Sequence, residues 1–380
     1  MMAHLYIHIP FCDGKCNYCG FYSLVKSPAL TILYSTLPAN EWAELCLHHH
    51  QLCHTHIRTL YMGGGTPTML GSEGLKRLVK SLRNHLSLQS LTEWTVELNP
   101  RSATPEILAT LRSLGVNRLT IGAQSFDDAT LRRMGRRHSA DDTVQTVRLA
   151  KSAGFHNIGL DLIAGFPGVT AELWQDTLAR ALALNIQHLS IYALSIEPGT
   201  RLSQQVEQGL KIPDDDQQLA ALTQAETLLT HHGLQRYEIS NYALPGAECQ
   251  HNLGIWRGQD YIGLGPAAAS RLGRTRWTNI EELSDYINAT QKTQRPPRRE
   301  ETLSPQDDAL ERVLFALRLA EGLNPTEAMH RFPVLRAHAE KWPEKLQALA
   351  RQGITTRQDQ AWCLSPRGRE VCDAVIKTLL

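Results

Sequence analysis

Three cysteines close to the start of the sequence carry the clearest chemical signal. Cys12, Cys16 and Cys19 have the spacing C-x3-C-x2-C, and a strand-like run, Leu5–Ile9, leads directly into them. Three thiolates on one short loop can bind three irons of a [4Fe-4S] cluster and leave the fourth iron without a protein ligand. The spacing therefore predicts a cluster whose open iron can bind a small molecule.

Two other uses of these cysteines are less consistent with the sequence. A zinc site needs four ligands, and the next cysteines, Cys46 and Cys53, are not spaced as a matching second pair. A disulfide framework is typical of small secreted chains, whereas this chain has 8 cysteines in 380 residues. The first residues read as a strand rather than a signal peptide, so we expect a cytoplasmic protein with reduced thiols.

The composition excludes several classes of function. The 39 Lys and Arg residues nearly balance the 38 Asp and Glu residues, so the sequence predicts no nucleic-acid partner. No apolar run reaches the roughly 20 residues that a membrane helix needs.

Short β-like runs alternate with helical patterns through the first half of the chain. This order predicts a parallel α/β sheet, here a partial (β/α)6 barrel with functional residues at the carboxyl ends of its strands. The predicted strands are Leu5–Ile9, Thr59–Gly63, Trp94–Asn99, Arg118–Gln124, Asn157–Ile163 and His188–Leu194. The predicted helices include Ser72–Leu86, Pro105–Leu114, Ala140–Ala153, Ala171–Leu184 and Asp215–His232.

Alternation within three of these strands indicates what fills the barrel. Apolar residues on one face should pack against the helices, and the opposite face carries Glu97, Gln124 and Asp161. A barrel packed only with side chains favours branched aliphatic residues, so a polar lumen predicts a polar ligand. A salt-bridged network inside the barrel is the alternative.

The domain pattern changes after the sixth strand. We predict the barrel core at 1–235, a loop-rich polar and aromatic extension at 236–290, and an exposed linker at 291–300. Residues 301–380 read as helices followed by a hairpin, which is typical of a small α+β winged-helix-like domain. No basic recognition helix is evident in it.

The segment Gly63-Gly64-Gly65-Thr66-Pro67 follows the second predicted strand. Consecutive glycines let the backbone approach a ligand closely, although a glycine run by itself is often only a turn. Together, the cysteine loop and this segment resemble the radical S-adenosylmethionine (SAM) superfamily. In that superfamily, the cluster reduces SAM to a 5′-deoxyadenosyl radical.

Further motifs narrow the resemblance to the branch that contains the oxygen-independent coproporphyrinogen III oxidases and related heme chaperones. The matching segments are Ile9–Cys12, Gly63–Thr68, Glu97–Pro100, Gly122–Phe126, Asp161–Gly168, Ile196–Thr200 and Tyr237–Tyr242. The resemblance implies SAM contacts from Tyr6, Gly64, Gly65, Thr66, Glu97, Gln124, Arg136 and Asp161. Chemically, carboxylates suit the ribose hydroxyls or the ammonium group, and Arg136 suits the methionine carboxylate. Arg136 could instead belong to a solvated basic helix end, because Arg132, Arg133 and Arg137 are its neighbours.

Three features favour the chaperone type within this branch. The oxidases carry a further cysteine two positions after the third, where this chain has Phe21, and a longer segment before the cluster. The segment Cys249–Trp256 resembles the chaperone signature H-N-x-x-Y-W, so His251 is implied as a heme ligand, with Cys249 or a purely structural histidine as alternatives. The implied partners are heme, heme-acceptor proteins such as membrane-bound respiratory enzymes, and an electron donor such as flavodoxin or ferredoxin.

The oxidase activity, which decarboxylates two propionates of coproporphyrinogen III, is the alternative function, and a zinc-binding module is a third. The sequence departs from the family pattern at Gly20, Ile255 and Ala269, where aspartate, tyrosine and histidine are usual. A run of cysteine and histidine, Cys46 to His56, reads as a solvated outer helix, with a metal site as the alternative.

Overall fold

The computed structural model describes residues 2–380 and contains an α/β barrel with an enlarged sheet. Its strands are β1 (Met2–Ile9), β2 (Phe11–Cys12), β3 (Leu24–Val25), β4 (His56–Gly64), β5 (Glu93–Leu98), β6 (Arg118–Gln124), β7 (Asn157–Ala164), β8 (His188–Ala193), β9 (Gln235–Arg236), β10 (Asn241–Ala243), β11 (Tyr261–Leu264), β12 (Ala269–Leu272), β13 (Thr275–Asn279), β14 (Arg298–Thr302), β15 (Thr355–Gln358) and β16 (Ala361–Leu364).

Helices connect these strands and cover the outside of the sheet. The α-helices are α1 (Pro28–Tyr34), α2 (Leu37–His48), α3 (Gly71–Arg83), α4 (Pro105–Leu114), α5 (Asp128–Arg133), α6 (Ala140–Ser152), α7 (Ala171–Ala183), α8 (Arg201–Glu207), α9 (Asp215–His231), α10 (Gln250–Trp256), α11 (Leu283–Gln291), α12 (Pro305–Leu314), α13 (Pro325–Arg331), α14 (Arg336–Ala339), α15 (Trp342–Arg351), α16 (Pro366–Glu370) and α17 (Cys372–Leu379). Short 3-10 turns lie at His50–His54, Pro67–Leu70, Pro100–Ser102, Phe315–Arg318 and Pro333–Leu335. Among residues 2–380, no helix has the length and apolar character needed to cross a membrane.

Six parallel neighbours form the barrel wall in the order β1-β4-β5-β6-β7-β8. The six strands and five helices predicted from the sequence are confirmed, with bounds that differ by a few residues at most. Their outward faces are apolar: Leu119, Ile121 and Leu160 are fully buried in the core between sheet and helices. The inward faces carry the polar residues that the alternation predicted.

The sheet continues beyond the barrel at both edges. Strand β11 pairs parallel to β1, and β12, β13 and β14 follow in antiparallel order, while β10 pairs antiparallel to β8. The extension at 236–290 is thus largely regular structure. The predicted linker at 291–300 is wrong at its C-terminal end, because Arg298 to Glu300 lie in the edge strand β14. Edge strands are often charged, and that composition made this strand read as a linker.

The C-terminal residues have a core of their own, which includes Leu314, Trp342 and Trp362. The predicted hairpin is confirmed as β15 and β16. Ion pairs join this region to the barrel: Arg369 contacts Glu226 at 2.6 Å, and Arg271 contacts Asp308 at 2.6 Å. The division into the four predicted domains stays a prediction.

A strained turn follows β11. Ala267 lies in it with a φ of 61°, in the left-handed region that favours glycine. That region costs roughly 1–2 kcal/mol for a residue with a Cβ atom. Its neighbour Ala268 is buried.

We expect Ala267→Gly to raise the free energy of unfolding by about 0.5 to 1 kcal/mol, because relief of strain exceeds the added freedom of the unfolded chain. Urea denaturation measures this difference. The matched control Ala268→Gly should lower stability by about 1 kcal/mol. A destabilised Ala267→Gly protein would show that this turn is not strained.

Candidate functional site

The cysteine loop lies at the carboxyl end of β1. Cys12, Cys16 and Cys19 are half-buried free thiols, and the loop turns back on itself through a bond from the Cys19 amide to the Cys16 carbonyl at 3.3 Å. Burial raises the pKa of the Cys12 and Cys19 thiols. In the described part of the chain, no group of three or more His, Cys, Asp or Glu side chains is arranged to hold one metal ion directly. A cubane cluster needs no such convergence, because each thiolate binds a different iron.

The glycine segment is bonded to the cysteine loop through the backbone. The Gly65 amide donates to the Ile9 carbonyl at 2.9 Å, and the Thr66 amide donates to the Phe11 carbonyl at 2.7 Å. A Cβ atom on Gly65 would lie 2.6 Å from the Ile9 carbonyl oxygen. These glycines therefore permit contact between two protein segments, and the Gly64 and Gly65 amides are both bonded within the protein. The Thr66 hydroxyl lies 3.7 Å from the Cys12 sulfur.

Arg136 reaches the cluster loop from the opposite side. Its Nη1 donates to the Cys16 sulfur at 3.5 Å, and its Nη2 donates to the Gly122 carbonyl at 2.6 Å and also contacts Asn99. It is not part of a solvated helix end, whereas its neighbours Arg132, Arg133 and Arg137 are exposed. The inward turn of Arg136 places a permanent positive charge beside a predicted cluster ligand.

Two acidic side chains lie inside the barrel at the same end. Glu97 accepts hydrogen bonds from the Tyr61 hydroxyl at 2.9 Å and from the Gly64 amide at 3.2 Å, and Asp161 accepts from the Thr120 hydroxyl at 3.1 Å. Burial, with the nearby Asp161 carboxylate, raises the pKa of Glu97 to about 7. Burial also raises the pKa of Asp161. Both carboxyl groups would gain from a cationic ligand, which would favour their ionised forms.

The remaining predicted SAM contacts line the same space. Tyr6 lies against Tyr61, with ring centroids 6.2 Å apart, and its hydroxyl is 3.1 Å from His8 Nδ1. Gln124 ends β6 with a positive φ of 66°. The structure thus brings Tyr6, Gly64, Gly65, Thr66, Glu97, Gln124, Arg136 and Asp161 to one end of the barrel. His8, Tyr61 and Tyr192 also line it, and the period of two along β1, β4 and β8 would have indicated them.

The lumen is open at this end and closed at the other. Tyr192 lies near the carboxyl ends of the strands and is 42% exposed, although it points into the barrel. Residues at the opposite strand ends are buried, among them His4, Glu93, Arg118 and His188. They bond to nearby groups, His4 to Thr59, His188 to Tyr237 and Glu93 to the Gln250 amide, so the closed end holds an internal hydrogen-bond network. The polar ligand at the open end stays a prediction.

His251 lies at the closed end, away from the predicted cluster ligands. It is buried, its Nδ1 is 2.9 Å from the Thr59 hydroxyl, and that hydroxyl is 2.7 Å from His4 Nδ1. Burial, aided by the charge of Arg118, lowers the pKa of His251 to about 3. In this conformation the ring is part of the barrel floor, and His251 lies in helix α10, not in a loop as expected; its role as a heme ligand stays a prediction.

The helix that carries His251 is fixed at both ends. Glu93 accepts from the Gln250 amide at 2.8 Å, the His251 amide at 3.1 Å and the Cys249 thiol at 3.4 Å. Cys249 is fully buried, and burial raises the pKa of its thiol to about 12, which disfavours a thiolate. At the other end, Trp256 packs edge-on against Phe315, with ring centroids 5.7 Å apart. Helix α10 therefore joins the barrel floor to the C-terminal region.

The histidine run lies on the outside of the barrel, but the predicted outer helix holds only Cys46 to His48; His50–His54 form a 3-10 turn and His56 begins β4. Helix α2 ends at His48, whose Nδ1 contacts Glu44 at 2.9 Å, and His49 stacks on Trp277 with ring centroids 5.9 Å apart. These histidines contact protein groups on the outside of the barrel.

Comparisons with known proteins place this site in a family. Residues 6–181 match the radical SAM superfamily, and residues 303–371 match the HemN C-terminal domain. The heme chaperone HemW of Mycobacterium tuberculosis is 34% identical over 382 residues, covering 99% of this chain and 94% of that protein. The heme chaperone HemW of Bacillus subtilis is 31% identical over 381 residues, covering 100% of this chain and 99% of that protein. The chain belongs to the HemW family.

The structural comparison agrees with this membership of the HemW family. Coproporphyrinogen III oxidase (HemN) from Escherichia coli, a radical SAM enzyme, superposes with a TM-score of 0.85 at 25% identity, covering 100% of this chain and 89% of that one. A [4Fe-4S] cluster and SAM are the cofactors of the radical SAM superfamily. The residues present fit them: three free thiols, one of them bonded to Arg136, and two half-buried carboxyl groups with raised pKa facing the lumen.

For this HemW-family site we expect SAM affinity to depend on the ionisation of Glu97. Since its pKa is about 7 without ligand, the carboxylate that attracts a cationic ligand is lost as the pH falls. SAM should bind about tenfold more weakly at pH 6 than at pH 8. Equilibrium dialysis of the anaerobically reconstituted protein measures this ratio.

Glu97→Gln should bind SAM weakly and without that pH dependence, whereas the exposed-surface control Glu73→Gln should behave like the native protein. The same pH slope in Glu97→Gln would assign the titration to another group.

Proposed function

We propose that this protein is a heme chaperone, which binds heme and transfers it to acceptor proteins in the cytoplasm or at its membrane. The observation that carries the proposal is identity of 31–34% over essentially the full length of two heme chaperones. Acceptors that include membrane-bound respiratory enzymes are part of the same proposal.

The cluster end of the barrel supports a SAM-dependent role for this chaperone. Cys12, Cys16 and Cys19 would hold the cluster, and the lumen residues from Tyr6 to Asp161 would hold SAM. When bound, the cluster and SAM supply one-electron chemistry at this end of the barrel. The chain itself contributes a guanidinium beside Cys16, ionisable carboxyl groups in the lumen, and a closed floor that limits water entry to one side.

The oxidase is the alternative function, because the superposition with HemN is close and the lumen is polar. Phe21, which stands where the oxidases have a further cysteine, argues against it. This side chain is 69% exposed beside the cluster loop and offers no thiol.

Two assays on one preparation separate these functions. We expect the native protein to bind about one heme per chain and to form no protoporphyrinogen from coproporphyrinogen III with SAM and a reductant present. Heme titration and product analysis measure the two activities. Stoichiometric decarboxylation would support the oxidase function instead. The cluster-free Cys16→Ala protein is the control for any SAM-dependent product.

We further propose an acidic electron donor, such as flavodoxin or ferredoxin, as a partner of the cluster loop. Four exposed arginines form a basic rim beside this loop: Arg101, Arg132, Arg133 and Arg137. Asn17 of the cluster loop donates to the Arg133 carbonyl at 2.8 Å, and Arg101 donates to the Arg137 carbonyl at 3.1 Å. A positive surface so close to the cluster favours a negatively charged partner.

Charge reversal in the basic rim tests this partner. We expect Arg132→Glu with Arg137→Glu to slow cluster reduction by reduced flavodoxin about tenfold or more at low salt, with a smaller difference at high salt. Stopped-flow absorbance measures the rate. Arg148→Glu, on the outer face of α6, should leave it unchanged. Equal rates for the rim variant and the native protein would place the donor elsewhere.

A further inference from the structure

We propose that heme docks on an apolar ridge beside the cluster loop, formed by Phe21 and Val25, with its propionates toward Lys15 and Lys26. This inference rests on the proposed function. The ridge would be the surface that first contacts the porphyrin.

The ridge is fixed to the cluster loop by regular hydrogen bonding. Strand β3 pairs with β2, so that Leu24 lies opposite Phe11 and Val25 lies opposite Cys12. The Leu24 amide donates to the Pro10 carbonyl at 2.8 Å, and the Lys26 amide donates to the Cys12 carbonyl at 2.9 Å. Exposed apolar groups are therefore held within one strand spacing of a predicted cluster ligand.

The preceding residues are anchored too, so the ridge is not a loose loop. The Tyr22 carbonyl is 2.9 Å from His8 Nε2, and the Tyr22 hydroxyl accepts from the Leu283 amide at 3.0 Å. Lys15 donates to the Phe21 carbonyl and to the Ser23 hydroxyl, the latter at 3.3 Å. These contacts hold Phe21 and Val25 outward, where they are 69% and 70% exposed.

Exposing these apolar side chains to water is unfavourable in free energy, and a ligand that covers them would remove that cost. Phe21, Leu24 and Val25 are all exposed within five consecutive positions, and clustered exposed apolar residues mark interaction sites. Exposed apolar residues elsewhere, such as Val334 and Val371, lie far from the cluster loop in sequence and in a different region.

Heme fits this surface by its chemistry. A porphyrin face is planar and apolar, and an exposed phenyl ring can stack on it. Its two propionates carry negative charge, and Lys15 and Lys26 are exposed at the sides of the ridge. His251 is buried in the floor of the barrel, so its ring does not make the first contact with heme in this conformation.

Equilibrium binding to the full-length, cluster-loaded protein tests the ridge. The probes are hemin, iron-free protoporphyrin IX and its dimethyl ester, followed by porphyrin and tryptophan fluorescence. We expect the double variant Phe21→Ser with Val25→Ser to bind hemin and protoporphyrin at least about tenfold more weakly, because apolar contact area is lost. Lys26→Gln should weaken hemin binding about threefold and leave the dimethyl ester unaffected.

The matched control is Val334→Ser with Val371→Ser, which removes two exposed apolar side chains and should not change affinity. Circular dichroism and iron content verify that each variant is folded and loaded. If the native protein binds hemin and the ridge variant binds it equally well, the ridge proposal is overturned while the chaperone function stands. If the native protein binds no hemin, the proposed function itself fails.

A third outcome would also overturn the proposal. If the ridge variant keeps its heme affinity but changes sedimentation or heme delivery to an acceptor, the ridge contacts a protein instead of a porphyrin.

Discussion

The site depends on one backbone junction, at which the glycine segment after β4 bonds to the cysteine loop after β1. Two hydrogen bonds, from the Gly65 and Thr66 amides to the Ile9 and Phe11 carbonyls, hold these loops at a separation that admits no Cβ atom on Gly65. Adjacent parallel strands bring their carboxyl ends together, but they do not fix how the following loops meet. The backbone junction fixes how the two loops meet, and it therefore determines the position of Cys12 relative to the lumen.

Electrostatics divide the lumen along its axis. At the closed end, Glu93 and Arg118 lie among hydrogen-bonding neighbours, and the charges are compensated within the protein. At the open end, burial raises the pKa of both Glu97 and Asp161, and the Asp161 carboxylate raises the pKa of Glu97 further. A cationic ligand bound at this end would lower the free energy of ionising these carboxyl groups, so the site favours such a ligand.

The barrel could be predicted well from the sequence because the patterns that define its strands and helices lie within short stretches of the chain. Strand alternation and helix periodicity depend on residues close in the chain, and the inward positions of Glu97 and Asp161 followed from a period of two. The linker at 291–300 was misread because an exposed edge strand such as β14 has the composition of a loop. The bonds of the glycine segment could not be predicted, because the acceptors of the Gly65 and Thr66 amides, Ile9 and Phe11, are more than 50 residues away along the chain. The place of His251 depended on Thr59 and Glu93, which no local pattern connects with it.

Helix α10 determines how a ligand enters and leaves the lumen. Because this helix closes one end of the barrel, the lumen opens to solvent only at the other end, where the cysteine loop lies. A small molecule therefore enters and leaves the lumen through the same opening. Release of one molecule and binding of the next are then successive steps, and the slower step limits the rate of exchange.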